Sequence, residues 1–399
     1  MGLLLFSKMV PIQLSGLMHQ TMKNKTILLL ASYAKSLVHF RGDFIADLIA
    51  AGYKVVAASP EIDPHIKDLL INLGAKPVEF NLQRAGLNPI KDLKTIKELK
   101  KLMKREQIDI VFPYTIKPVI YGSIAARSLN LPVFSLITGL GYTFSGVSSK
   151  ARTLQKITQA LYKFALKSNK MVIFQNEDDH QLFLKHNILS HDFPVDIVNG
   201  SGVNLDRYPY RIKENDGSKI VFVFVARLIR EKGIHLLIDA AEKLKPNYPH
   251  AEFHILGDVS VASPSAIHKD TLKDYHNRKI VVHHGKRPNI EDYLTNSDVF
   301  VLPTFYREGV PRSSLEALSI GMPIIITNTP GCKETVVSGE NGLLIEPRSL
   351  DALVEALEFF LKNPEKIKEM GIKSRKLAET KFDVKLVNEK LISLIESNL

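Results

Sequence analysis

VFVFVARLIREKGIHLLIDA (Val221–Ala240) and TFYREGVPRSSLEALSIGMPIIIT (Thr304–Thr327) are the two stretches on which the fold turns. The first runs from a strand rich in β-branched and aromatic residues, through a short loop, into a helix opened by Gly233. The second runs from a Gly/Pro-containing loop into a helix that Pro311 can begin, and then into a strand. Strand, loop and helix in this alternation describe a parallel sheet with helices over its faces.

Working outward, the same alternation fills the chain. Strands are expected at Ile27–Tyr33, Lys54–Ala58, Pro77–Phe80, Ile108–Phe112, Val133–Leu136, Met171–Gln175 and Asp196–Val198, with helices near 41–51, 63–73, 90–106, 118–129, 150–168 and 177–187. The pattern restarts with strands at Ile220–Val225, Glu252–Leu256, Ile280–His283, Val299–Leu302, Pro323–Thr327 and Gly342–Ile345. Helices near 233–246, 289–297, 312–320, 332–338 and 349–361 intervene, and 364–380 and 385–397 close the chain. Two such sets predict two doubly wound domains, joined through the polar, turn-rich GSGVNLDRYPYRIKENDGS (Gly200–Ser218). The expected boundaries are 22–200, 201–380 and a closing helix at 381–399 that can pack back on the first domain. Ligands of such sheets sit at the C-terminal strand ends, so a cleft between the domains is the expected site.

Composition narrows the chemistry. The chain has 399 residues, 45% hydrophobic and 24% charged, and one cysteine, Cys332. That count excludes a disulfide framework and a Cys-rich zinc site, and fits a reducing compartment. No run of 18 apolar residues marks a membrane span. MGLLLFSK makes a poor signal peptide, and Met22 opens the folded pattern, so residues 1–21 read as an extension or a start-site artefact. The expected location is cytoplasmic. Net charge is +11, and residues 1–200 hold 25 Lys+Arg against 15 Asp+Glu; no acid lies between Asp109 and Glu177. Such a field implies an anionic partner. Nucleic acid is disfavoured because the basic helices lack interleaved aromatic platforms.

Several chemistries lack their motifs. There is no G-x-x-x-x-G-K-[ST] and no G-x-S-x-G, and ASYAKSLVHFRG after the first strand is a poor dinucleotide fingerprint. Gly139 and Gly141 read as a tight turn. Glu177, Asp178, Asp179 and His180 follow Asn176, so they fit an N-cap and first-turn acids better than a metal site. His283–His284 has no carboxylate at metal spacing, and no catalytic metal or cofactor is expected. What remains is positive charge placed for phosphate: Arg227 and Lys232 straddle the loop between a strand end and a helix start. In the second tract Glu308 sits in the turn, free amides are expected from Arg312 to Leu315, and Glu316 lies further into the helix. Two carboxylates beside amide donors suit a ligand bearing both hydroxyls and phosphates.

At these residues the sequence resembles the retaining family 4 glycosyltransferases of the GT-B fold, over nearly the whole chain after residue 22. The resemblance rests on EGVPRSSLE (Glu308 to Glu316), on Arg227 and Lys232 upstream, and on TPGCKETVVSGENGLLIEP (Thr329–Pro347) after them. YTIKPVIYGSIAARSLNLPVFSLITGLGYTF (Tyr114–Phe144) and FQNEDDHQLF (Phe174–Phe183) are similar to the capsule, O-antigen and protein-glycan branch. The resemblance implies two Rossmann-like domains facing across a cleft. It also implies metal-independent transfer of a hexosyl group from a nucleotide sugar, UDP-linked, to a polyprenyl-diphosphate-linked glycan, with retention of configuration. Arg227 and Lys232 would bind the diphosphate and neutralise the leaving group. Glu308, with the amides of Gly309 and Val310, would hold the donor sugar, Glu316 the ribose, and Arg287, in HHGKRPNIEDYL (His283–Leu294), the nucleobase end. Where many relatives carry a histidine, this chain has Tyr114, Thr115 and Lys117. Lys117, Thr138, Gly139 and Arg41 become acceptor-side candidates, Lys117 against the alternative of an interdomain salt bridge.

Two other readings compete: another reaction on the same scaffold, such as a UDP-sugar epimerase or a sucrose-type synthase, and a non-catalytic adaptor at a membrane surface. A lipid-linked acceptor calls for peripheral attachment to the inner face of the cell membrane, on anionic headgroups. Residues 90–105 place Leu93, Ile96, Leu99 and Met103 on one helical face among lysines. Residues 150–167 place Leu154, Ile157, Leu161 and Phe164 likewise, with Lys150, Arg152, Lys156, Lys163 and Lys167 around them, and follow the turn Gly139–Gly146. This second segment is the favoured membrane helix, the alternative being that both stripes face the sheet.

Overall fold

The computed structural model describes residues 24–83, 86, 88–144, 149–212, 214–259 and 265–399, without the side chains of 142, 143 and 149–152. The expectations for residues 1–21, for Gly146, and for the side chains of Lys150 and Arg152 lie outside that range. The chain divides into two compact units. The first holds the described residues up to Leu136 together with Phe164–Val172 and Asn388–Leu399; the second holds Ile137–Lys163 and Ile173–Val387.

The first unit opens with β1 (Thr26–Leu30), α1 (Ala34–His39), α2 (Gly42–Ala50), β2 (Lys54–Ser59), α3 (Pro64–Asn72), β3 (Lys76–Glu79), α4 (Pro89–Arg105), β4 (Ile110–Pro113) and α5 (Ile116–Arg127). Its parallel strands run in the order β3-β2-β1-β4, and Leu28, Leu29 and Val111 are fully buried because helices cover both faces. Proline at the first helical turn and an asparagine or aspartate cap start α3 and α4: Asp63 accepts from the Ile66 amide at 3.0 Å and Asn88 from the Lys91 amide at 3.1 Å. A three-stranded sheet follows, ordered as β5 (Phe134–Ile137), β6 (Met171–Phe174) and β7 (Val195–Ile197), with α6 (Ser149–Leu166) and α7 (Glu177–Lys185) between the strands.

The second unit is built on β8 (Ile220–Val225), α8 (Ile234–Leu244), β9 (Ala251–Leu256), α9 (Lys269–Asn277), β10 (Val282–Gly285), α10 (Ile290–Thr295), β11 (Val299–Leu302), α11 (Arg312–Ile320), β12 (Ile324–Thr327), β13 (Gly342–Ile345), α12 (Leu350–Lys362) and α13 (Glu365–Leu377). The helix α14 (Val384–Ser397) ends the chain, and in the first unit its Asn388 Nδ2 donates to Asp47 Oδ2 at 2.7 Å. The six strands are parallel and ordered β10-β9-β8-β11-β12-β13. Strand order therefore reverses between β8 and β11, and the loops leaving those two strands open a crevice at their C-terminal ends. Helix α8 packs on α12, and α11 on α13 and α10.

Three elements differ from expectation. The helix expected at 332–338 is only a single 3₁₀ turn, Lys333–Thr335, because Val336 returns to extended backbone. Helix α9 is not among the expected elements: Leu272 is its only buried residue, so its apolar face is a short one. Helix α1, six residues long, is too short to show one.

Candidate active site

The switch point brings the two quoted stretches together. Residues after β8 and after β11 are sewn by one carbonyl: Glu231 O accepts the Phe305 amide at 2.9 Å, the Tyr306 amide at 3.1 Å and the Thr304 hydroxyl at 3.0 Å. Gly233, at φ +83°, allows this approach, since a side chain there would overlap the Pro303 carbonyl. The result places Lys232 against Glu308: the ammonium donates to Oε1, both side chains being mostly buried. Arg227 is exposed beside them. Its guanidinium and the Lys232 ammonium each lie 5.6 Å from the Tyr306 ring centre.

Glu316 is inside α11 and almost wholly buried. Its Oε1 accepts the Tyr208 hydroxyl at 2.9 Å and Arg312 Nε at 3.1 Å. Burial pushes its carboxyl up from the ordinary range, and Arg312 and the Tyr208 hydroxyl oppose that shift. Pro311 is the cap of α11 rather than its first residue, and its carbonyl takes the Ser314 and Leu315 amides at 3.2 and 3.3 Å. The free amides expected from Arg312 to Leu315 thus shrink to the first two.

Gly309 and Val310 sit in a tight backbone stack. A Cβ on Gly139 would overlap the Gly309 amide, and one on Gly331 would overlap the Gly309 carbonyl. The Val310 amide points to Gln175 Oε1 at 3.4 Å. Thr138 and Gly139, taken from sequence as acceptor-side residues, therefore lie directly on the Glu308 loop. Arg287 is exposed on the loop after β10, two strands from β8; with burial and His254 as the larger causes, it helps hold His284 down to about 4.

The other two acceptor-side candidates, Lys117 and Arg41, belong to the first unit. Lys117 is tied to Asp92 at 3.2 Å and to the Gln83 carbonyl at 2.6 Å, so its partner is α4 of its own unit and not another domain. Arg41, expected on a ligand-facing loop, is 2% exposed, with its guanidinium 5.6 Å from the Tyr114 ring, because the chain turns there into α2.

The acids of α7 are helix-start residues, as their position after Asn176 implies. Asn176 Oδ1 accepts the Asp179 amide at 2.8 Å, Asp178 pairs with Lys333 at 2.8 Å, and Asp179 with Arg307 at 2.9 Å. Among the described residues no group of three or more His, Cys, Asp or Glu is placed to hold a metal ion. Sequence reasoning missed Tyr306, Tyr208 and the Asp179–Arg307 pair. Only the aromatic residue two places before Glu308 carried any signal, since the other partners lie 108 and 128 residues apart.

Comparison with known proteins gives the family. Residues 210–377 match the model for glycosyl transferases group 1, and residues 26–176 the model for the glycosyl transferase 4-like domain. The chain is 26% identical over 373 residues to the Campylobacter jejuni N,N'-diacetylbacillosaminyl-diphospho-undecaprenol alpha-1,3-N-acetylgalactosaminyltransferase, covering 90% of this chain and 96% of that one. It is 31% identical over 283 residues to the Escherichia coli UDP-Gal:alpha-D-GlcNAc-diphosphoundecaprenol alpha-1,3-galactosyltransferase, covering 68% and 71%. In fold it matches Anabaena HepE, crystallised with UDP and glucose, at a TM-score of 0.74 and 18% identity over 94% of this chain and 100% of that one. With the strand order, the Lys232–Glu308 pair and these matches together, the chain belongs to the GT-B glycosyltransferases of the group 1 and family 4 type.

Proposed function

We propose that this glycosyltransferase moves a sugar from a UDP-linked donor to a polyprenyl-diphosphate-linked glycan, with retention of configuration and without a metal. The observation that carries the reading is the Lys232–Glu308 contact at the switch point, with Arg227 exposed beside it. An ammonium has three donors, so Lys232 can keep Glu308 oriented while offering two N–H groups to phosphate oxygens. Arg227 adds a planar fork suited to the same oxygens. Charge building on the departing diphosphate is then met by fixed cations, and Glu308 is aimed to take a donor-sugar hydroxyl. Glu316, locked by Tyr208 and Arg312, is the ribose acceptor in this reading, and Thr138 and Gly139 border the sugar. The named substrates of the two bacterial relatives support the lipid-linked acceptor, and the UDP in HepE supports the donor.

The direct test incubates the purified chain with a panel of UDP-sugars and a lipid-linked acceptor extract. Label moving into the lipid fraction only when both are present is the expected result. Epimerised or hydrolysed donor without acceptor, and no labelled lipid, would point to another reaction on this scaffold. The same assay in EDTA should keep most of its rate, because Arg227 and Lys232 supply the positive charge. Complete loss, restored by manganese or magnesium, would contradict the metal-independent reading.

Peripheral attachment to the inner face of the membrane completes the proposal. Among the described residues no helix is long and apolar enough to cross a bilayer. Both helices picked out from sequence turn their inner stripe to the protein yet leave large apolar residues outside. On α4, Leu99 and Met103 are buried while Ile90 is 70% and Leu93 59% exposed. On α6, Ile157 and Phe164 are exposed beside Lys156 and Lys163, and Lys167 follows just beyond the helix. Lysines near anionic headgroups contribute about 1 kcal/mol each. A Lys156/Lys163/Lys167→Glu variant should therefore sediment with anionic liposomes much less than wild type, and high salt should weaken both. Equal sedimentation, or indifference to lipid charge, would end the membrane reading for α6.

A further inference from the structure

We infer that Asp179 is a positioning residue for Glu308, acting through Arg307; the inference rests on the glycosyl-transfer reading above. Asp179 is 0% exposed, so it touches no substrate. Its two carboxylate oxygens are divided between two partners. Oδ1 accepts Arg307 Nε at 2.9 Å, and Oδ2 accepts Asn176 Nδ2 at 3.3 Å. The same asparagine caps α7 by taking the Asp179 amide, so the carboxylate is held at both ends of its side chain. Its position in the first helical turn stabilises the charge there. Burial pushes the carboxyl up, and the Arg307 guanidinium is the largest opposing influence.

Arg307 is bonded directly to Glu308 in the chain, and its other contacts fix the backbone there. Its carbonyl accepts the Gly141 amide at 3.0 Å. On the far side of Gly309, Asp178 of the same helical turn holds Lys333 at 2.8 Å, two residues from the Gly331 that backs the Gly309 carbonyl. The first turn of α7 thus holds the Glu308 loop through Arg307 and, through Lys333, the segment that backs it, by side chains 128 and 155 residues away in sequence. A carboxylate that must meet a sugar hydroxyl tolerates little displacement, since an error near 1 Å can cost on the order of 100-fold in rate. The buried Asp179–Arg307 pair and the half-buried Asp178–Lys333 pair add to a loop already sewn to Glu231 through its backbone. Their direction, one onto Arg307 beside Glu308 and the other near the Gly331 that backs the Gly309 carbonyl, is what assigns them to positioning.

The experiment is a double-mutant cycle on the full chain, read by kcat in sugar transfer and by UDP affinity in calorimetry. Asp179→Asn keeps the shape and removes the charge. It should lower kcat about ten- to 100-fold while changing the UDP dissociation constant less than about twofold. In a Glu308→Gln background the same change should lower kcat less than about threefold, because the group it positions is already lost. Arg307→Gln, cut from the more exposed partner, should repeat both results and serves if Asp179→Asn does not fold. Losses that multiply in full in the Glu308→Gln background, or UDP affinity falling in step with kcat, would overturn the inference and leave the pair a structural one. A wild type that transfers no sugar would instead overturn the glycosyl-transfer reading, and the inference with it.

Discussion

Replacing Arg227 and Lys232 together with alanine is expected to lower kcat/KM for sugar transfer by about 10²–10⁴-fold. In the proposed donor site each cation would make charge-assisted bonds worth about 1.5–3 kcal/mol, and every 1.4 kcal/mol is tenfold. The structure makes the two singles unequal. Arg227 is exposed, and its loss would remove the bonds proposed to the diphosphate together with a contact with the Tyr306 ring. Lys232 is also the partner of Glu308 inside a mostly buried pair, so Lys232→Ala leaves a carboxylate with its opposite charge gone. The Lys232 single should therefore lose more kcat than the Arg227 single, and UDP affinity should fall in both. Steady-state kinetics with calorimetric UDP titration checks this, and wild-type kinetics in the double variant would remove the donor-site assignment.

Gly331→Ala should disable the enzyme through the backbone that carries Glu308. Gly331 has φ +78°, and a Cβ there would run into the Gly309 carbonyl, a backbone atom with no rotamer to escape into. Strain in the left-handed region and overpacking each cost about 1–3 kcal/mol. A melting temperature lowered by several degrees is expected, together with loss of most activity, because the relief available is movement of the loop that carries Glu308. Gly339→Ala is the internal comparison: it has φ +83°, yet nothing lies within 4 Å of its Cβ. It should share the backbone strain and keep the rate. Equal activity in the two variants would show that the Gly309 stack does not hold the site.

Much of this protein was legible before any coordinates. The runs Ile220–Val225 and Val299–Leu302 are strands because continuous apolar, β-branched stretches of that length bury both faces only inside a parallel sheet. Asn176 read as a cap and proved to be one, because capping is a local bond from a side chain to an amide three residues on. Arg227, Lys232, Glu308 and Glu316 were picked out by charge type beside strand ends and a helix start, and by resemblance to one family's spacing. Local chemistry of this kind repeats along a chain at fixed short offsets, so order along the chain suffices to see it.

What only the tertiary structure decided is which distant pieces meet. Strands β8 and β11 are neighbours although β9 and β10 lie between them in sequence, and that crossover alone puts Lys232 on Glu308. The partners of Lys117 and Arg41, Asp92 and the Tyr114 ring, are likewise visible only in the folded chain. Asp178 and Asp179 looked like charges on a helix end until Lys333 and Arg307 came within 3 Å. The physical reason is the same in each case. Periodicity and capping are set by bonds to near neighbours, whereas a buried charge is set by whichever opposite charge the folded backbone brings to it, and nothing in the order of residues states that distance.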